Sequence, residues 1–342
     1  MGSRVEKKRI AYWDMAKGFT MLLVIVAHIP QVPVAIRGLI FSFHMPLFFV
    51  ANGFFVKDYD ILKTLKKSVK SLLLPYAITG VISAFLYVLN NLGTGYSAGQ
   101  LAIHYLISVV VGMSGSSTIF QSMESVGPIW FLTALFLCRN IYVIIMHFVD
   151  KWNVILQGLL MAAISAAGCI IGVKIAWLPW SADLALAALI FMWMGNMLAK
   201  YPAWDRRFWP VMGIGGVIWL VPVVLRIKIE LALRLYPYGP VPFIEAAAGT
   251  FVVVGLFYFL EKKNINIKAL TWIGRNSIVL LCVHALEQMH VKWDERIWPL
   301  FPFNVPWPLM IVIRIALVLG ISIVFVKLKN LIKSSAGITK VK

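Results

Sequence analysis

The sequence predicts an all-α, polytopic membrane protein of about ten transmembrane helices, with both termini in the cytoplasm. Three observations carry that prediction. Of 342 residues, 61% are hydrophobic and 13% charged, whereas a soluble domain is nearer half apolar and a quarter charged. The apolar residues come in runs long enough to cross about 30 Å of hydrocarbon at about 1.5 Å per helical residue. The cations, finally, divide unevenly between alternate connecting segments.

Taken in order, the predicted spans lie near 11–31, 36–56, 72–91, 127–147, 154–173, 182–199, 209–225, 241–260, 274–290 and 307–327, within a single membrane domain over 1–342. The run 101–113 is apolar but short, and reads as a re-entrant or interfacial piece. With the N-terminus inside, twenty-one Lys and Arg fall in inside segments, among them Arg4, Lys7, Lys8 and Arg9. Seven fall outside: Arg37, Lys174, Arg226, Lys228, Arg234, Lys292 and Arg296. That is a positive-inside bias. It also accounts for most of the net charge of +18, which in a soluble chain would point to nucleic acid; no nucleic-acid partner is expected here. Cys138, Cys169 and Cys282 are dispersed among apolar spans and read as buried apolar residues, not as a disulfide or zinc framework. The first apolar run is too long for a signal peptide and lacks a small-residue cleavage site. Glu6 stands where a myristoylation signal needs Ser or Thr.

The first two spans carry polar groups that need a reason. They read YWDMAKGFTMLLVIVAHIP and FSFHMPLFFVANGFF, and hold Asp14, Lys17, His28 and His44. A Lys or Asp at a helix centre costs about 2.5–3.5 kcal/mol on insertion scales. Lys17 and His28 are eleven residues apart, about three full helical turns, so both point the same way with a rise of about 16 Å between them. Asp14 lies near the same face and suits a structural pair with Lys17. The break at 31–35 favours a hairpin that brings His44 to the depth of His28. Two histidines at one depth suit a base and its helper; the plainer alternative is a pair of satisfied core residues. No carboxylate or Cys stands at ligand spacing beside them, so no metal is expected.

Arg139, Arg275 and Arg314 are further cations inside spans, the first two in the cytoplasmic half, and snorkelling is the plain reading of each. Outside, 92–126 is long and nearly uncharged, and LRIKIELALRLYPYGP (225–240) suits a site-lining loop. Within it Arg226 and Glu230 stand four residues apart and either pair with each other or face a substrate at such a site. Glu124, Glu287 and His290 are expected at the solvated outer surface, and Asp183 at the interface.

These residues carry a resemblance. Lys17-x10-His28, followed by the Phe-His-Met-Pro-Leu-Phe-Phe stretch around His44, resembles the start of the acyltransferase 3 family of integral-membrane O-acyltransferases, nearest its fucose 4-O-acetylase-like branch. Where that family ends the stretch near Ser-Gly-Tyr/Phe, this chain has Ala51-Asn52-Gly53-Phe54. GPIWFLTALF resembles the family's Trp-Phe-Leu segment, with Trp130 at the key place, and WIGRNSIVLLCVHALEQ its Gly-x-Asn-Ser…His segment, with Asn276, Ser277 and His284.

The resemblance implies transfer of an acyl group, usually acetyl, from acetyl-CoA to a hydroxyl of an extracytoplasmic carbohydrate or lipid-linked glycan, in a bacterial inner membrane. On that reading Lys17, Arg139 and Arg275 hold the phosphates of coenzyme A, and the pantetheine arm reaches toward His28 over a distance on the order of the helix rise of about 16 Å. His28 is the general base. Trp130, His44, His284 and Asn276 are the candidates for stabilising the oxyanion. The rival readings are a transporter or flippase, whose charged residues would line a solute path, and a structural partner in a polysaccharide synthase complex.

Overall fold

A computed structural model describes residues 10–115, 123–201, 204–227 and 229–335. The expected cations Arg4, Lys7, Lys8, Arg9, Lys228, Lys340 and Lys342, and part of the 92–126 segment, lie outside them. Among the described residues the fold is all α-helix, with no β-strand.

Each predicted span falls on a helix, but several are shortened or broken, and prolines explain the first two breaks. α1 (Ala11–Ala27) ends four residues earlier than expected, with His28 as its C-cap. Pro30 follows, and the residue before a proline is pushed out of the α region. α2 (Val34–Phe41) starts directly after Pro33. α3 (His44–Phe54) is separated from it by a break at Ser42 and Phe43. Pro46 sits in the first turn of α3, where its missing N–H costs least. His44 is therefore the first residue of α3, at a break in the middle of the apolar segment Val34–Phe54.

α4 (Ile61–Ser68) is capped by the Asp60 side chain, which accepts from the Lys63 N–H. It runs through a π-turn into α5 (Leu74–Asn90). α6 (Ala98–Val111) is the expected short apolar piece, opened by a Ser97/Gln100 capping box and closed by Gly112 in the left-handed region. There follow α7 (Trp130–Val149), α8 (Val154–Ile170), α9 (Ala182–Ala187), α10 (Leu189–Lys200), α11 (Trp204–Val224) and α12 (Val241–Lys262). α13 (Lys268–Arg275), α14 (Ser277–His290) and α15 (Trp307–Ser335) complete the chain. Among the described residues six helices are long and apolar enough to cross a membrane. Two bent pairs, α9 with α10 at 52° and α13 with α14 at 76°, bring that to eight if each is one span. The chain is a polytopic membrane protein.

α1 lies at the centre. Trp13, Ala16, Ile25 and Ala27 are fully buried. Two contacts set its neighbours. Gly18 of α1 faces Gly274 of α13 so closely that a Cβ on Gly274 would stand 1.8 Å from the Asp14 carbonyl oxygen, and one on Gly18 2.0 Å from that of Leu270. Only glycine allows backbones this near. The Glu261 carboxylate at the end of α12 accepts from the free N–H groups of Ala11 and Tyr12, each at 3.2 Å, which answers the unpaired donors and positive dipole of a helix start. α12 thus runs antiparallel to α1. The bundle has a charged end, at the start of α1, and a histidine end, where α1 finishes.

Candidate active site

At the charged end, Asp14 receives two cations. Lys17 Nζ lies 2.9 Å from Oδ1, and Arg275 Nε 3.2 Å from Oδ2. The second contact exists because the Gly18–Gly274 crossing lays α13 against α1. Lys17 and Arg275 keep 21% and 43% of their side chains exposed. The expected Asp14–Lys17 pair is present, and it is shared. Arg139, on α7, is partly buried, and its Nε has no hydrogen-bond partner. A buried guanidinium nitrogen left open is costly, and it suits an anionic ligand.

Asn276 occupies the break between α13 and α14, where its amide donates to the Trp272 carbonyl at 2.8 Å. It is the neighbour of Arg275 and eight residues from His284, about 12 Å along a helix. The structure therefore sets Asn276 beside the charged end and apart from the histidines, with which the sequence grouped it.

The histidine end is denser and drier. His28 Nδ1 is 2.7 Å from the Val24 carbonyl oxygen, His44 Nδ1 3.0 Å from that of Ile40, and His284 Nδ1 3.0 Å from Glu287 Oε2. A carbonyl or carboxylate oxygen accepts, so Nδ1 carries the proton in all three rings. In the neutral ring Nε2 then carries the lone pair. The His28 and His284 rings meet at 5.2 Å between centroids. Phe41 lies between His28 and His44, at 6.2 and 5.3 Å. The hairpin does bring both histidines to one place.

Behind His284 stands a network that the sequence reading missed. Glu287 accepts from Arg314 Nε at 2.5 Å and from Trp293 Nε1. Arg314 also donates to the His28 carbonyl at 3.3 Å, tying α15 to the end of α1. Glu287 and Arg314 are each 3% exposed. Glu287 is thus no solvated surface residue and Arg314 does not snorkel; both expectations are corrected, because each charge satisfies the other inside the bundle. His284 Nε2 and Arg314 Nη2 are buried with no partner. A signal was available: a lone Arg in the apolar run IVIRIALV needs a buried anion, and His284 and Glu287 share a helix face.

Two more outer-surface expectations fail. His290 is buried, with Nε2 2.5 Å from Ser83 Oγ. Asp183 is 1% exposed and binds Arg234 through both oxygens, at 2.8 and 3.1 Å, so neither is interfacial. Glu124 is half-buried, accepting from the Tyr87 hydroxyl at 3.1 Å and lying 3.8 Å from His104. The Arg234–Asp183 pair anchors the loop that carries Arg226 and Glu230. Arg226 is exposed, in the left-handed region, and Glu230 pairs its backbone with Leu235. Trp130 is buried at the start of α7. The turn before it rests on α14 at Gly127, where a Cβ would stand 2.6 Å from Met289 Sδ. Trp130 therefore flanks the helix that bears His284 and Glu287. Among the described residues no group of three or more His, Cys, Asp or Glu is disposed to hold a metal.

The fold is that of a multi-pass membrane protein with two polar clusters inside the bundle, three histidines at one end and Lys17, Arg275 and Asp14 at the other. The family model described as an acyltransferase domain, acyltransferase 3, matches residues 10–327. The chain belongs to that family, and the protein is a membrane acyltransferase. No curated protein and no solved structure matches it.

Proposed function

We propose that this protein is an acyl-CoA-dependent O-acyltransferase of a bacterial inner membrane. It moves an acetyl or similar group from cytoplasmic acyl-CoA to a hydroxyl of an extracytoplasmic polysaccharide or lipid-linked glycan, in keeping with the fucose 4-O-acetylase-like branch. The observation that supports this best is the pairing of His28 with the buried His284–Glu287–Arg314 network at the far end of the helix that begins beside Lys17 and Arg275.

Lys17, Arg275 and the open Nε of Arg139 bind the donor phosphates, so the thioester lies toward the histidines. The acceptor hydroxyl attacks the thioester carbonyl carbon. A C–O bond forms, the proton passes to Nε2 of His28, and the C–S bond breaks to release the coenzyme A thiolate. The Val24 carbonyl holds His28 in the tautomer that leaves Nε2 basic. Arg314, through the His28 carbonyl and Glu287, keeps both imidazoles in place. Trp130, His44 and His284 flank the position where the oxyanion develops; Asn276 instead serves the donor end.

The test is acetyl transfer by the purified protein in liposomes, with radiolabelled acetyl-CoA and a panel of glycans. Transfer is expected, and His28→Ala lowers it by about 10²–10⁴-fold, the range for loss of a general base. Absence of transfer to every acceptor, together with no protection by coenzyme A against thermal unfolding, overturns the proposal. A His28→Ala protein with full activity removes His28 from the chemistry.

A further inference from the structure

The segment joining α14 to α15 borders an open cavity of about 660 Å³ that the chemistry above does not use. Trp298, Phe301 and Phe303 supply its aromatic walls, and Asp294 and Asn304 its polar groups. Its volume is that of a small-molecule site, about 300–1,000 Å³. The rings run in series. Trp293 stacks on Trp298 at 4.7 Å, Trp298 meets Phe301 at 6.2 Å, and Phe301 meets Phe303 at 5.8 Å.

Three links join this cavity to the reaction centre. Trp293, at the head of the series, donates to Glu287. Gln31, three residues beyond His28, donates to Asp294 Oδ1 at 2.6 Å. Val305 and Met310, on the buried side of the cavity, pack in one apolar cluster with Ala27 and Ile29, the two residues that flank His28.

We propose that this cavity is the sugar subsite of the acceptor: one pyranose ring lies with its C–H face on Trp298 and Phe303, and its hydroxyls bond to Asp294 and Asn304. The inference rests on the glycan-acceptor reading above and gives that acceptor its place. A pyranose has an apolar face and a rim of hydroxyls, and only a site with both aromatic faces and a carboxylate or amide answers both. A wholly apolar ligand covers the exposed Asp294 and Asn304 without replacing the water on them, and an anionic headgroup meets the carboxylate of Asp294. The cavity also opens at the end of the bundle where the base lies. A ring seated there lies beside the segment that follows His28 in the chain, which the Gln31–Asp294 bond ties to the cavity rim.

The experiment has two arms. In the first, the protein in nanodiscs is mixed with methyl glycosides of glucose, galactose and fucose, and saturation transfer to the ring C–H protons is recorded. Transfer to at least one sugar is expected, and it disappears in Trp298→Ala and Phe303→Ala. In the second, steady-state acetylation kinetics give an acceptor KM raised about tenfold for Trp298→Ala and for Asn304→Ala, the loss of one stack or one hydrogen bond, with the KM for acetyl-CoA unchanged. Phe303 and Asn304 are exposed, so their variants decide the matter even if Trp298→Ala fails to fold. An unchanged acceptor KM in active Phe303→Ala and Asn304→Ala proteins overturns the subsite and makes the aromatic loop a membrane-surface anchor. So does the absence of saturation transfer in a wild-type protein that acetylates glycans. Saturation transfer without acetylation of any acceptor overturns the acyltransfer reading and leaves the sugar site standing.

Discussion

The two ends of the bundle use the same kind of interaction in opposite settings. At the charged end one carboxylate, Asp14, holds two cations that remain partly exposed. At the histidine end one carboxylate, Glu287, holds Arg314, His284 and Trp293 almost entirely out of solvent. At the first site water reaches both cations, and the buried Asp14 keeps one when the other is lost; at the second site every partner is buried. Exposed ion pairs are therefore worth about 0–1 kcal/mol, while removing one member of a buried pair costs about 3–5 kcal/mol. The lesson concerns function as much as stability: the charged end, proposed to bind the donor, can rearrange its charges around a ligand, whereas His28, proposed as the base, sits on a network that must stay assembled.

The largest effect expected is from Glu287→Ala. It strands a buried arginine and frees the His284 ring, lowering stability by about 3–5 kcal/mol, read as a fall in the thermal unfolding midpoint in detergent. Adding Arg314→Met recovers most of that loss, because the uncompensated charge is then gone. A Glu287→Ala protein with the wild-type midpoint breaks the contrast between the ends.

An intermediate effect is expected at the helix crossing. Gly274→Ala drives a Cβ into the backbone of Asp14, costing about 1–3 kcal/mol and moving Arg275 away from Asp14, with a higher KM for the acyl donor. Gly320→Ala, where a Cβ meets nothing within 4 Å, is the control. It gains up to about 1 kcal/mol as a helical Gly-to-Ala change.

The smallest effect on stability is expected from Lys17→Ala, within about 1 kcal/mol, while the KM for acyl-CoA rises. An unchanged donor KM assigns Lys17 to the Asp14 pair alone and sharpens the comparison into one between a purely structural and a chemical end.

Much of this was legible in the residues. The Lys17-x10-His28 spacing places one residue at each end of α1, and α1 is helical between them. The His28–His44 hairpin was readable from the short break after Pro30. Glu287, Arg314 and Asp183 were misread for one reason. From a linear chain, a charge in or beside an apolar run reads as one that reaches water; the run around Arg314 shows that an anion is needed, but nothing local says which residue supplies it, 27 positions away for Arg314 and 51 for Asp183. Asn276 sits at a 76° bend that divides what reads as one continuous span, so its place beside Arg275 was not readable from the chain. The aromatic cavity after α14 left no periodic signal, since its rings converge through loop geometry.

Hydrophobic run length and charge distribution determined on their own that this chain enters a membrane as helices, because the cost of an unpaired backbone in hydrocarbon leaves no other solution open to such runs. Helical pitch alone likewise determined that Lys17 and His28 share a face. Tertiary structure decided which charges meet. Ion pairs and the close approach of Gly18 to Gly274 depend on helices distant in sequence lying side by side, and such pairings follow from packing complementarity that no single segment encodes.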